Sequence, residues 1–356
     1  MTTIMNLLPK GARMFSRSAV VLVASIAMGA CNLLDTSPPD ELSDDNAILT
    51  PAGARTALAG AYGALQSGYY YGGTFTHFGD LYGDNARHVG TFTSYQDAAS
   101  HTFFADNGDV TGMWNAIYEA IKRANDLLEK VPDVDGFEPG EQEQILGEAH
   151  FLRALHYHNL VKYYGGVPLR LEPVHEPGQA DDLGRSSVAD VYAQIQADLT
   201  EAEALITSTS PVNHATIGAV KALQARVNLF QGNWAQAITD ANAVEDLGFD
   251  LAPSYASLFN SDNATTIECI FKITFTSQLE QANLLGYYWL SDQLSNGGRF
   301  EIGPTQSLIN AYDTLSSDVR LTWNLAPDPG GSGWVEASQS GGSYGTKFPT
   351  PNGAED

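Results

Sequence analysis

The sequence predicts a mainly α protein: a framework of paired helices, then a loop-rich region with short strands. Three observations predict it. Apolar residues recur at three- and four-residue spacing through most of 50–250. Serine, threonine, proline and glycine stand at the ends of those runs, where helices start and stop. After Phe249 the texture shifts to glycine, serine, asparagine and proline.

The elements follow in order. Thr50 as N-cap and Pro51 at the first helical position open a helix over 50–66. A second runs over 109–130 through Trp114, Ile117, Ile121, Leu127 and Leu128. A third starts near Glu141 and carries Ile145, Ala149, Leu152, Leu155 and Leu160 on one face, so it reads as amphipathic. Gly165 and Gly166 stop it, because glycine takes the left-handed conformation without steric cost. Pro168 prevents it from resuming. A fourth spans 187–206, capped by Ser186 or Ser187, and a pair covers 216–231 and 234–247. Residues 267–275 alternate like a half-buried strand, with Cys269 as a buried, inert thiol. A last helix covers 305–314.

The first thirty residues are not fold. Lys10, Arg13 and Arg17 form a basic start, and 19–30 is apolar but too short to span a bilayer. Met28-Gly29-Ala30-Cys31 resembles a bacterial lipobox, which implies lipidation of Cys31. Residues 1–30 are therefore expected to be a lipoprotein signal peptide and 31–49 a proline-stiffened tether. Beyond the leader the chain holds 15 basic and 42 acidic residues, a net charge of −27. Such a surface repels phosphate backbones, so nucleic acid is excluded as a partner. A neutral ligand is not repelled.

Residues 69–104 carry ten aromatics, well above the chain average of 10%. Among them lie Asp80, Asp84, Asn85 and Arg87. Flat rings stack on the C–H faces of sugars, while planar carboxylates, amides and guanidinium groups bind hydroxyls in pairs. The stretch has few helix markers and is read as loop. The same rings also suit a plug between helices. The candidate ligand residues are Tyr71, Asp80, Asp84, Asn85, Arg87 and Tyr95, joined by Tyr288 and Trp289 from the triplet 287–289. Three adjacent rings cannot all face one side of a strand.

Catalytic and metal readings are weaker. His150, His156 and His158 lack HExxH spacing and are read as satisfied or exposed side chains. Arg153 is read as a brace. Residues 341–345 match G-x-S-x-G without the strand and helix that a nucleophile elbow needs. Asp106, Asp109, Asp133 and Asp135 have calcium-ligand chemistry but not EF-hand spacing. Caps and turns account for them, so no cofactor is expected and calcium is the sole candidate. The chain is not expected to be an enzyme.

Two stretches carry a resemblance. EAHFLRALHYHNLVKYYGGVPL at 148–169 and the Cys31-Asn-Leu-Leu-Asp start resemble the SusD/RagB family of outer-membrane nutrient-binding lipoproteins. Residues 222–241, with Ala225, Ala237 and Ala241 around a Gly-Asn-Trp turn, resemble a tetratricopeptide helix pair, in which small residues let two helices approach. The resemblance implies a SusD-like helical framework with tetratricopeptide-like pairs at 50–250 and a C-terminal region at 251–356. That region stops short of the family's later segments and is read as incomplete. It further implies a lipid-anchored outer-membrane protein facing the exterior. Such a protein binds oligosaccharide and passes it to a SusC-like TonB-dependent transporter. A RagB-type peptide binder of the same architecture and a surface hydrolase are the alternatives.

Overall fold

The structure is a computed structural model. It describes residues 48–104, 106–174, 183–259, 266–275, 283–295, 297–313, 318–331, 333–338 and 341–346. The leader and Cys31 lie outside the described residues.

Before residue 250 the described residues form α1 Pro51–Gly63, α2 Thr74–Tyr82, α3 Thr93–Ala99, α4 Gly108–Lys130, α5 Glu141–Tyr164, α6 Val188–Leu205, α7 Ile217–Phe230 and α8 Trp234–Asp246. Capping chemistry sets their starts. The Thr50 side chain accepts from Gly53 N, and Asn107 accepts from Asp109 N and Val110 N at the head of α4. Ser187 accepts from Asp190 N while the Asp190 carboxylate accepts from Ser187 N, a capping box that starts α6. Ser187→Ala is expected to cost about 1 kcal/mol, read as a lower urea midpoint at unchanged slope. A change below about 0.3 kcal/mol would show that packing alone holds the end of α6.

α5 is the axis. Every residue from 147 to 161 except His150 is buried. The expectation of an amphipathic helix is therefore corrected: α5 is enclosed by α4 on one side, α6 on another, and α1 and α7 beyond. Its polar side chains Glu148, Arg153, His156 and Asn159 are buried with partners instead of solvated. Arg153 spans three elements. Its Nε and Nη2 donate to Asp198 of α6 at 3.0 and 2.7 Å, and its Nη1 to Asn125 of α4 and the Leu171 carbonyl. Glu148 accepts from Tyr62 Oη at 2.6 Å and faces His214 Nδ1 at 2.9 Å. Gly165 ends α5 at φ 71°, as the double glycine requires.

α7 and α8 form the antiparallel pair, turning at Gly232 with φ 76°. Asn228 Nδ2 donates to the buried Asp240 at 2.8 Å and clasps the two helices. Of the three expected spacers only Ala237 is buried; Ala225 is half-buried and Ala241 exposed. They line an outward groove with the exposed Trp234 and Ile238.

Past residue 250 the elements are short: α9 Leu285–Trp289, β2 Ile302–Pro304, α10 Gln306–Asp313, α11 Arg320–Asn324, β3 Leu325–Ala326 and β4 Tyr344–Gly345. β2 pairs antiparallel with β1 (Ala86–His88), Ala86 opposite Pro304 and His88 opposite Ile302. β3 pairs with β4. Two expectations fail here. Residues 267–275 are not a strand. Their backbone bonds go to a loop and a side chain, Lys272 N to the Val212 carbonyl and Gln66 Nε2 to the Thr274 carbonyl. Cys269 is half-buried against a cavity of about 400 Å³ rather than sealed in a core. The triplet 287–289 is one helical turn, so its rings splay around an axis instead of alternating.

The stretch read as loop also differs. It contains α2 and α3. Helix markers are sparse there, but Phe75, Phe78 and Leu81 of α2 are buried, and burial of that face holds the turn in helix.

Candidate functional site

The β1–β2 pairing ties residues 84–88 to the C-terminal region, and one buried carboxylate locks the tie. Glu301 is 1% exposed. It accepts from Thr91 N at 2.8 Å, Phe92 N at 3.1 Å and Arg299 Nε at 2.6 Å. Burial works against its charge, yet these donors hold it below the usual carboxylate range. Thr305 Oγ1 adds a bond to the Asp84 carbonyl at 2.7 Å. Asp84 itself takes the left-handed φ of 60°, which turns the chain from α2 into β1.

This tie creates a cleft of about 270 Å³ between α2, α9, α10 and α11. Asp80 comes from the last turn of α2 and Asn85 from the turn after it; Asn85 Nδ2 lies 3.4 Å from Asp80 Oδ1. Trp289 closes α9, and its indole lies on the Gly345 backbone, where an added Cβ would sit 2.9 Å from the ring. The Gly345 hydrogen therefore seats one part of the indole and leaves another toward the cleft. Tyr312 of α10 and Asn324 of α11 complete the lining. Tyr255 Oη donates to Asn324 Oδ1 at 2.7 Å, and Asn324 Nδ2 donates to Tyr312 Oη at 2.8 Å, which orients amide and phenol together. Two aromatic rings, two amides and a carboxylate thus face one small space. Side chains of these types have the chemistry to stack on a pyranose and bond its hydroxyls.

The eight expected ligand residues divide. Asp80, Asn85 and Trp289 line the cleft. Asp84 contributes its carbonyl to the tie, and Arg87 pairs with Glu336 at 2.5 Å. Tyr95 is 1% exposed among α2, α3 and α9, its hydroxyl 3.2 Å from His77 Nδ1. Tyr288 packs its ring on His77, Phe92 and Tyr95. Tyr71 is half-buried, accepts from Asn159 Nδ2 at 2.8 Å and lines the cavity of about 400 Å³ beside Cys269, away from the cleft. Tyr312 and Asn324 are cleft residues that sequence reasoning missed. Tyr312 is legible as the i+4 partner of Leu308 on a helix; Asn324 carries no mark in the sequence.

Of the three histidines read as satisfied or exposed, His150 meets Asp198 at 2.8 Å as expected, and His158 departs from the expectation. His156 and His158 are fully buried, and burial pushes both down to about 3, so they are neutral. His156 Nδ1 meets Tyr70 Oη at 3.0 Å, whereas neither nitrogen of His158 finds a partner among the described residues. Among those residues no group of three or more His, Cys, Asp or Glu is placed to hold a metal ion. Asp109, one of the calcium candidates, accepts from Ser94 and Thr74.

A larger groove of about 580 Å³ lies across α2, lined by Phe78, Tyr82, Phe103, Tyr163 and Tyr164. Among the described residues its lining has no carboxylate or amide side chain to order neutral hydroxyls, so the smaller cleft is the better candidate for a neutral sugar.

Comparison with known proteins agrees with this architecture. A family described as "Starch-binding associating with outer membrane" matches residues 32–229. SusD-like protein P38 of Formosa agariphila is 28% identical over 235 residues, covering 63% of this chain and 44% of that protein. SusD-like protein P2 of the same organism is 25% identical over 269 residues, covering 73% and 53%. The chain thus spans about half the length of the curated relatives it matches. A SusD superfamily protein from Bacteroides vulgatus superposes with a TM-score of 0.72 at 20% identity, over 85% of this chain and 69% of that one. A laminarin-binding SusD-like protein gives 0.68 at 24%, over 78% and 66%. At such identity these structures bear on the fold. The family match spans more than half of the sequence, and the chain belongs to the SusD-like family.

Proposed function

We propose that this protein binds a glycan in the cleft between α2, α9, α10 and α11 and delivers it to a SusC-like TonB-dependent transporter. The observation that carries the reading is the cleft's lining: Trp289 and Tyr312 rings beside Asp80, Asn85 and Asn324. The family's description as starch-binding and outer-membrane-associated supports it. In this reading residues 1–30 are removed, Cys31 carries the lipid, and the body stands on the tether at the cell exterior. Among the described residues no helix is long and apolar enough to cross a membrane, and the reading assigns the attachment to the lipid. The work is binding rather than bond breaking and needs no cofactor.

Calorimetry against a panel of neutral oligosaccharides tests the reading. Trp289→Ala is expected to weaken the best binder by about tenfold or more, or ~1.4 kcal/mol, because the stacking surface is lost. If peptides give heat and no glycan does, the RagB-type reading replaces it. Turnover of a glycan by the purified protein would turn the assignment to a hydrolase.

A further inference from the structure

The groove across α2 has features that the cleft does not explain. Its wall is a run of rings held in place by their surroundings. Tyr82 and Phe103 lie 5.4 Å apart with planes 31° from parallel, and Phe103 stacks on the buried Phe78 at 6.1 Å. Tyr163 Oη donates to the Phe75 carbonyl at 2.5 Å and Tyr164 Oη to the Val110 carbonyl at 2.8 Å. Both phenols of α5 are therefore tied to backbone, which fixes their ring positions. Tyr82 is gripped by His101, whose ring meets it edge-on at 4.5 Å and whose Nε2 lies 3.0 Å from the Tyr82 carbonyl. His101 does this from a left-handed φ of 57°, an unfavourable conformation for a non-glycine residue. Yet Tyr82, Phe103 and Tyr163 remain 54%, 40% and 37% exposed. Rings pinned in this way and left facing water form a preorganised stacking surface.

The charge in the groove is equally specific. Among the described residues its only charged lining residue is Lys162. The chain has 18 basic and 42 acidic residues, and half of the described lysines and arginines pair with a carboxylate. Arg55, Arg87, Arg153, Lys221, Arg299 and Arg320 all do. Lys162 has no carboxylate partner among the described residues; its ammonium sits near the rings of Phe75 and Phe230 at 5.7 and 5.8 Å. Burial and then the Arg226 charge push it down to about 8, which leaves it mostly protonated at neutral pH. The buried His158, one turn earlier on α5, offers it no negative charge.

We propose that this groove is a second ligand site and that it takes an acidic saccharide: a sugar ring stacked on Tyr82 and Phe103, with its carboxylate or sulfate at Lys162. The polarity follows from the lining. A neutral sugar would leave the ammonium uncompensated, and an apolar ligand would bury it. A uronate or sulfated ring satisfies rings and cation together. Gly79 and Gly83 keep the floor of the groove open along α2.

The test is calorimetry of the whole protein with a uronate oligosaccharide, a sulfated one and a neutral one of equal length. The acidic ligands are expected to bind, more weakly at high salt. Lys162→Gln and Tyr82→Ala should each reduce that binding about tenfold or more. Gly79→Leu, which fills the groove from an exposed position on α2, should also abolish it while the melting temperature holds. Trp289→Ala should leave it unchanged, so failure of the neutral-glycan reading and failure of this one are separable. A response to the uronate alone or to the sulfated ligand alone identifies the anion and supports the site. No heat from either acidic ligand, equal binding of the neutral one in the groove, or loss of acidic binding in Trp289→Ala alone overturns the proposal.

Discussion

Asp198→Ala is expected to cost about 3–5 kcal/mol, because it strands a buried guanidinium. Asp198 is 1% exposed and receives both Nε and Nη2 of Arg153, with His150 Nδ1 at 2.8 Å. Without the carboxylate, Arg153 keeps Asn125 and the Leu171 carbonyl but loses its counter-charge. That stability is a large share of the roughly 5–15 kcal/mol a folded protein has. The melting temperature should fall by roughly 6–12 °C. The paired replacement Arg153→Met with Asp198→Leu should cost less than Asp198→Ala alone, because it removes both charges at similar volume. Equal or greater loss in the double variant would show that the pair is worth more than its desolvation. Burial opposes the charge of Asp198, but His150 and Arg153 hold it below the ordinary aspartate value. Its contribution is therefore present above the unfolded value and is lost as pH falls through the lower folded one, below about 4. Asp198→Ala should flatten the acid limb of a stability–pH curve in that window.

Glu301→Gln is expected to cost about 2–3 kcal/mol and to weaken glycan binding as well. The glutamine amide keeps the shape but cannot accept at every position where Thr91 N, Phe92 N and Arg299 Nε now donate. One donor is left facing another. The tie between β1 and β2 then loosens, and with it Asn85 and the cleft wall. Hydrogen exchange at Val89, whose amide donates to the Glu301 carbonyl at 2.9 Å, should report local opening. Arg87→Ala is the matched control. The exposed Arg87–Glu336 pair lies on the same strap and should contribute less than about 1 kcal/mol. If Glu301→Gln destabilises without affecting binding, the strap is scaffold only.

Much of the helical framework is legible in the sequence because caps and periodicity act locally. Thr50-Pro51, Ser187 and Gly165-Gly166 each mark an end that the structure places within a residue or so. The weakly marked helices are not legible. α2 and α3 contain glycine, threonine and serine and hold only through partners distant in sequence. The 267–275 alternation misleads for the converse reason: period two needs a neighbouring strand to become a sheet, and no strand pairs with it among the described residues.

The site divides along the same line. Aromatic enrichment with Asp80 and Asn85 points to a stretch that lines the cleft, and Trp289 to a distant turn that joins it. That Tyr95 is core while Tyr82 is exposed follows from the rings of Phe78, Phe92 and Tyr288 packed on Tyr95, and that Tyr312 and Asn324 share a wall with Asp80 joins positions more than two hundred residues apart. The sequence by itself determined the family, the ends of the well-capped helices and a strongly negative net charge, since these follow from local chemistry and summed charge. Only the tertiary structure decided which rings face water, which cation lacks an acid and which polar groups converge. Burial and pairing belong to the packed chain, because each is set by what the fold brings alongside.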